Sequence, residues 1–210
     1  MKKCVGLSGS SMKIGHIEKL ISDSGRQVVP GMKIVEDTTE FMELDQGDVM
    51  ILDETPFLIS RNEKEVGFGQ DDEPKYWVKR TVNLATGKTT IVKLVFFEEF
   101  TQKIGSETVT FYRSPLKEAR VLDLVQGKKH FMQGTWVNDA AGNNVRIIDY
   151  IWGPSLNKLV SAVDLPHEQY FYTRLPEILS GLVDCLQALS FLHENNLVHG
   201  DVRWDHIMFD

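Results

Sequence analysis

Apolar residues in the first two-thirds of the chain come mostly in short runs bounded by turn residues. The first pattern is helical. Ile14, Ile17, Leu20 and Ile21 space as one face of a short amphipathic helix over residues 13–24, and Gly25 supplies a stop. Residues 1–12 are small and polar and read as a loose lead-in. Residues 33–60 are strand-like. The runs 49–52 and 57–59 flank Asp53-Glu54-Thr55-Pro56 as the arms of a hairpin would. Residues 61–75 are charged, contain Gly67-Phe68-Gly69 and read as a loop. Two strands, 76–84 and 89–97, surround Ala85-Thr86-Gly87-Lys88, and a third covers 107–112.

Ser114-Pro115 opens a helix, since serine can cap and proline suits the first helical position. That helix fills 116–125 and ends at Gly127. Strands over 131–137 and 144–152 bracket the polar turn cluster 138–143. After Gly153-Pro154 the pattern turns helical. Leu175, Leu179, Leu182, Leu186 and Leu189 recur at spacings of 4, 3, 4 and 3, one face of a long helix. Strands followed by helices give an α+β class with two lobes. The expected divisions are an N-terminal extension over 1–50, a strand-rich lobe over 51–152 and the start of a helical lobe over 153–210.

Composition narrows the picture. The chain has 210 residues, 23 Lys+Arg and 30 Asp+Glu, for a net charge of −7. An acidic balance argues against non-specific nucleic-acid binding. Two cysteines, Cys4 and Cys185, lie far apart with no zinc-site spacing and read as free thiols. The N-terminus lacks the apolar run of a signal peptide, and no stretch approaches the ~18 apolar residues of a membrane span. The expectation is a cytoplasmic chain with neither membrane nor nucleic-acid partner.

Four segments carry candidate chemistry. His199-Gly200-Asp201-Val202-Arg203-Trp204-Asp205-His206 follows the long helix. Lys93 lies in an apolar strand after Thr86-Gly87-Lys88-Thr89-Thr90-Ile91-Val92, where an ammonium needs a counter-charge unless its head reaches solvent. Glu118 opens Glu118-Ala119-Arg120-Val121-Leu122, and Ile147-Ile148-Asp149-Tyr150-Ile151-Trp152-Gly153-Pro154-Ser155-Leu156 joins the two lobes. Taken singly, these segments also fit a turn after a helix, a snorkelling lysine, a solvated helix charge and an ordinary strand-to-helix connection.

In this order they resemble the protein-kinase-like superfamily, in the form of a bacterial Ser/Thr-kinase-like protein with an H-G-D catalytic loop. The resemblance covers residues ~57–210 and breaks off just after that loop. It implies a kinase N-lobe (antiparallel sheet plus helix C), followed by the first helices of the C-lobe. It also implies transfer of the γ-phosphoryl group of ATP to a hydroxyl, with Mg²⁺. Asp201 takes the place of the group that orients the attacking hydroxyl, and Arg203 that of a basic residue on the transferred phosphoryl group. Lys93 takes the place of the lysine on the α- and β-phosphates, and Glu118 that of its helix-C partner, with Glu98 and Glu99 as rivals. Ile91 falls above the adenine, Ile148 at the gatekeeper, and the backbone near Asp149 and Ile151 at the adenine edge. Gly67 and Gly69 are all that stands for the glycine-rich loop, and three acidic residues follow them.

His206 occupies the place of a metal-binding asparagine, although Mg²⁺ prefers oxygen ligands. Arg203 points to a protein Ser/Thr hydroxyl as acceptor. Gly200, in place of arginine, points to a small-molecule hydroxyl. His206, Ile91 and the sparse glycine loop point to a nucleotide- or partner-binding pseudokinase. The activation segment and most of the helical lobe have no residues here, so the chain alone is expected to be an inactive fragment.

Overall fold

The computed structural model describes residues 7–65, 75–94, 98–161, 165–200 and 202–209. Cys4, Gly67, Gly69 and Asp201 lie outside them. The chain divides into two compact units, one formed by the residues through Leu124 with Gln133–Asp149, the other by Val125–Met132 with the residues from Tyr150 on.

The first unit is built on a seven-stranded sheet of order β1-β2-β3-β4-β5-β9-β8. Its strands are β1 (Ile34–Val35), β2 (Val49–Leu52), β3 (Thr55–Glu65), β4 (Lys75–Asn83), β5 (Thr89–Leu94), β8 (Gly134–Asn138) and β9 (Asn144–Asp149). Only β1–β2 is parallel; every other neighbouring pair is antiparallel. This is an α+β arrangement with a kinase-like N-lobe sheet, widened at one edge by the two strands before Asp53.

Side-chain alternation assigns the two faces. In β5, Thr90, Val92 and Leu94 are buried, while Thr89, Ile91 and Lys93 are half-buried on the other side. The buried face carries one core: Met50, Leu52, Phe57, Ile59, Val92, Leu94 and Val145, covered by Phe41 and Leu44. The opposite face meets α1 (Leu7–Asp23), whose Ile17 and Ile21 pack with Val49, Leu58 and Leu84.

The sheet curls until its edges meet. Ala140, in the β8–β9 turn, donates its N–H to the Glu36 carbonyl just after β1, at 2.9 Å. The neighbouring Asp139 carboxylate accepts from the Thr38 backbone N–H at 2.5 Å and the Thr38 hydroxyl at 2.6 Å. It also accepts from the Ala141 and Asn143 N–H groups and from Asn143 Nδ2. Burial pushes this carboxyl up, but the bonds from Thr38 and Asn143 outweigh it and hold the pKa below the ordinary 3.8.

Lys79, on the buried face, is 0% exposed. Its Nζ donates to the Leu44 carbonyl at 2.6 Å and Asn62 Oδ1 at 2.8 Å, and lies 5.0 Å from the Phe41 ring centroid. Burial pushes its pKa down to about 8, against the attraction of Asp45 and Asp48. A lysine of β4 thus ties the segment between β1 and β2 to the sheet.

Three elements differ from the sequence expectations. Helix α1 starts at Leu7, although residues 7–12 carry no apolar period. Residues 61–65 continue β3 instead of opening a loop. The strand expected at 107–112 is β7 (Glu107–Arg113), and its partner is β6 (Glu98–Ile104), in a separate ribbon. Thr101, Lys103, Ile104, Thr108 and Thr110 are exposed.

In the second unit, α3 (Leu156–Ser161) is followed by α4 (His167–Gln169), a π-helical stretch Tyr170–Arg174 and α5 (Leu175–Glu194). Helix α5 ends in a Schellman motif. Asn196 is left-handed at φ 57°, Leu197 N–H reaches the Leu192 carbonyl, and Asn196 N–H reaches that of His193. Ile178 and Leu192 are its buried residues, whereas Leu179, Leu182 and Leu186 of the expected apolar face are exposed. Cys185 is a free thiol on this helix. Contrary to the reading that no stretch suits a membrane, His167–Glu194 is long and apolar enough to cross one by length and composition, with a mean hydropathy of 1.4 in its best window. The core helix of a soluble protein passes the same test.

Two stability measurements check these ties. Asp139→Ala leaves the buried Thr38 donors unmet and lowers unfolding stability by about 2–3 kcal/mol in chemical denaturation. The Asp139 contribution is complete above pH 3.8 and fades as pH falls through its lower folded value, so the variant loses less than wild type on acidification. Lys79 works in the other window. Its folded pKa is depressed, so wild type gains stability as pH rises from about 8 to 10.5, and Lys79→Met does not.

Candidate functional site

In the first unit the register brings the candidate residues to one face. Lys93 of β5 lies directly opposite Arg146 of β9, and Ile91 directly opposite Ile148. Opposed residues of an antiparallel pair share a face with Cβ atoms roughly 5 Å apart, and like charges so placed repel. Two cations on one spot of sheet therefore call for an anion.

That anion comes from α2 (Pro115–Val125), which begins where Ser114-Pro115 predicts. Ala119, Leu122 and Val125 are its buried residues, and Glu118 stands in its first turn, where a carboxylate suits the helix dipole. Glu118 Oε2 is 2.5 Å from Arg146 Nη1. The Arg146 side chain is only 4% exposed, that of Glu118 39%. Glu118, expected as the partner of Lys93, is paired with Arg146. Near its other end α2 is held again, by the Trp136 indole N–H donating to Asp123 at 3.0 Å.

Arg146 was not among the sequence candidates. The signal that singled out Lys93, a cation within an apolar strand, was present at Val145-Arg146-Ile147-Ile148 as well. The same signal lay at Lys79, whose buried head meets a carbonyl and an amide oxygen instead of a carboxylate.

At the end of β9, Ile148 is 8% exposed and Asp149 is exposed. The Asp149 N–H is already donated to the Gln133 carbonyl at 2.9 Å. Ile151, in the second unit, is half-buried.

The segment matching the catalytic loop belongs to the second unit. Gly200 has φ +75°, a conformation costly for any residue with a Cβ, which accounts for glycine in this place. After it, Arg203 Nε donates to Asp205 Oδ1 at 3.0 Å and Arg203 Nη2 donates to Asp205 Oδ2. The Arg203 guanidinium holds the Asp205 carboxyl below its ordinary value. His206 is exposed and its N–H bonds the Arg203 carbonyl at 3.0 Å. The segment is pinned beyond that point. Leu156 N–H reaches the Ile207 carbonyl, Phe209 N–H reaches that of Pro154, and a Cβ on Gly181 of α5 would lie 2.4 Å from the Phe209 ring.

Among the described residues no group of three or more His, Cys, Asp or Glu is arranged to hold a metal ion. His206 offers nitrogen, and Asp205 is engaged by Arg203. These residues do not fit Mg²⁺. A cavity of about 520 Å³ opens elsewhere in the first unit, between α1, the β2–β3 turn and the β8–β9 turn, and none of the candidate residues lines it.

The Arg203–Asp205 pair is a test of its own. Both side chains are more than a third exposed or close to it, so screening leaves the pair worth less than about 1 kcal/mol. Asp205→Asn is expected to shift Tm by no more than about 2–4 °C in differential scanning calorimetry.

No family model matches the chain. Among curated proteins it is similar to serine/threonine-protein kinase max-2 of Caenorhabditis elegans, 26% identical over 140 residues, covering 64% of this chain and 20% of that kinase. It is also similar to a putative serine/threonine-protein kinase of Acanthamoeba polyphaga mimivirus, 23% identical over 124 residues, covering 51% of this chain and 44% of that protein. The matched regions thus span less than half the length of either relative. At low identity these likenesses support a general kinase-like function for the chain.

Proposed function

We propose that this chain carries nucleotide-holding elements of an ATP-dependent phosphotransferase that moves the γ-phosphoryl group to a hydroxyl, most simply a protein Ser/Thr hydroxyl. The observation that carries the reading is the strand order β3-β4-β5-β9-β8 with α2 inserted between β5 and β8. That topology puts Lys93, Ile91, Ile148 and the Arg146–Glu118 pair on one face of the sheet.

In this reading Lys93 places positive charge on the α- and β-phosphates, where an ammonium acts as a point charge. Ile91 and Ile148 give the adenine an apolar surface, and the backbone near Asp149 and Ile151 meets its polar edge. Gly67 and Gly69 lie in the segment between β3 and β4 and would offer backbone N–H groups to phosphate. Asp201 orients the acceptor hydroxyl and Arg203 steadies the transferred phosphoryl group. Any Mg²⁺ would be held by the ATP phosphates, since His206 and Asp205 do not suit it as ligands.

A second reading, a nucleotide-binding pseudokinase, is favoured by His206 and by the engagement of Asp205 with Arg203. Thermal-shift titration with ATP, with and without Mg²⁺, separates the two. Phosphotransfer predicts a metal-dependent rise in Tm together with transfer to a generic protein acceptor. A pseudokinase predicts a metal-independent rise and no transfer. Lys93→Ala is expected to remove the rise in either case. An unchanged Tm under both conditions would overturn both readings.

A further inference from the structure

We infer that the cavity between α1, the β2–β3 turn and the β8–β9 turn is a docking site for a basic peptide. One arginine side chain of the peptide enters it, and the guanidinium meets Asp53 and Glu54. The inference goes beyond the reading above and does not rest on it, since no residue assigned there to ATP or to phosphoryl transfer lines the cavity.

The lining has two kinds of surface. Ile17 of α1, which is buried, and Ile51 and Pro56 of the β2–β3 hairpin, which are half-buried, give it an apolar floor. Glu36, Asp53 and Glu54 are exposed around that floor, and no lysine or arginine is among the described residues lining it. Among the described residues, the Asp53 and Glu54 carboxylates take part in no hydrogen bond or ion pair. These two form the hairpin turn beyond the Leu52–Thr55 pair, with φ 48° and 59°. A two-residue turn of this kind needs left-handed backbone at both places and is best served by Asn-Gly. Here a glutamate stands where glycine would sit with less strain, so the turn carries two free charges at the expense of stability.

Shape and charge identify the occupant. The volume of about 520 Å³ falls within the range of ligand pockets, roughly 300–1,000 Å³. Yet Glu36, Asp53, Glu54 and Ala140 on its rim are all exposed, so the cavity is open and does not wrap a small molecule on most sides. A side chain delivered by a partner's backbone needs no such enclosure. Arginine fits both surfaces, because its methylene stem covers apolar ground while its planar fork bonds carboxylates in pairs. The net charge of −7 adds attraction for a basic partner at longer range.

The test is fluorescence anisotropy on the full chain, without ATP and at physiological salt. The probe is a labelled glycine-serine peptide with Arg-Gly-Arg at its centre. Replacing both arginines by citrulline, their uncharged isostere, is expected to weaken binding at least tenfold. Asp53→Asn/Glu54→Gln is expected to cause a similar loss. Glu107→Gln/Glu168→Gln, which removes two exposed charges elsewhere, stays within twofold of wild type. Ala140→Phe fills the cavity without altering charge and weakens binding at least fivefold. Glu54→Gly weakens binding but raises Tm by about 2–4 °C, by relieving the turn. Asp53, Glu54 and Ala140 are exposed, so these variants fold.

Equal losses in the two double variants would overturn the inference in favour of diffuse charge attraction, and so would full affinity in Ala140→Phe. Agmatine carries the guanidinium without a peptide backbone and is expected to compete at least tenfold more weakly than unlabelled peptide. Equal competition would overturn the peptide as occupant. Failure of the nucleotide reading looks different: wild type then shows no ATP-dependent shift in Tm, while peptide binding is unchanged.

Discussion

A sheet that curls on itself must satisfy two edges, and here one carboxylate joins them. Asp139 sits in the tight turn of the β8–β9 hairpin and accepts the backbone and hydroxyl of Thr38, a residue following the opposite edge strand. The interior core exists because that closure holds. Phe41 and Leu44 can lie over Val92, Leu94 and Val145 only while the segment carrying them is tied down at Thr38. Lys79 strengthens the same closure from within, through the Leu44 carbonyl.

The two faces of the sheet therefore do different work. The interior face is a sealed core with one lysine satisfied by neutral oxygens. The other face is wetter and carries opposed cations, one partly exposed carboxylate partner and a helix. Placing Lys93 on that face requires only that β5 alternate as it does, with Val92 and Leu94 turned inward. Chemistry is thus separated from the core by single-residue alternation, and a one-residue slip of β5 would bury Lys93 and expose Val92.

Much of this was legible in the residues. The β3–β4–β5 meander, α2 after Ser114-Pro115 and the long α5 follow from apolar runs, turn chemistry and helical spacing. The shared face of Lys93 and Ile91 follows from a period of two. What escaped reading depends on distant partners. Arg146 and Lys79 each look like a cation in an apolar strand, and only the register says that one meets a carboxylate and the other a carbonyl. Asp139 reads as an ordinary turn residue until Thr38 is brought to it. The α5 leucines were read correctly as one face of a helix, but helical spacing does not say what covers that face.

The Thr38–Asp139 contact also bears on how the chain folds. Its partners are 101 residues apart. The meander can form from neighbours in sequence, whereas joining Thr38 to Asp139 closes a long loop whose entropy must be met before any bond there repays it. The segment before β2 is therefore the last part of the sheet to dock and the first to be released in partial opening. In such an intermediate the inner surface of the sheet, with Val92, Leu94 and Val145, would be bared to solvent before the strands themselves come apart.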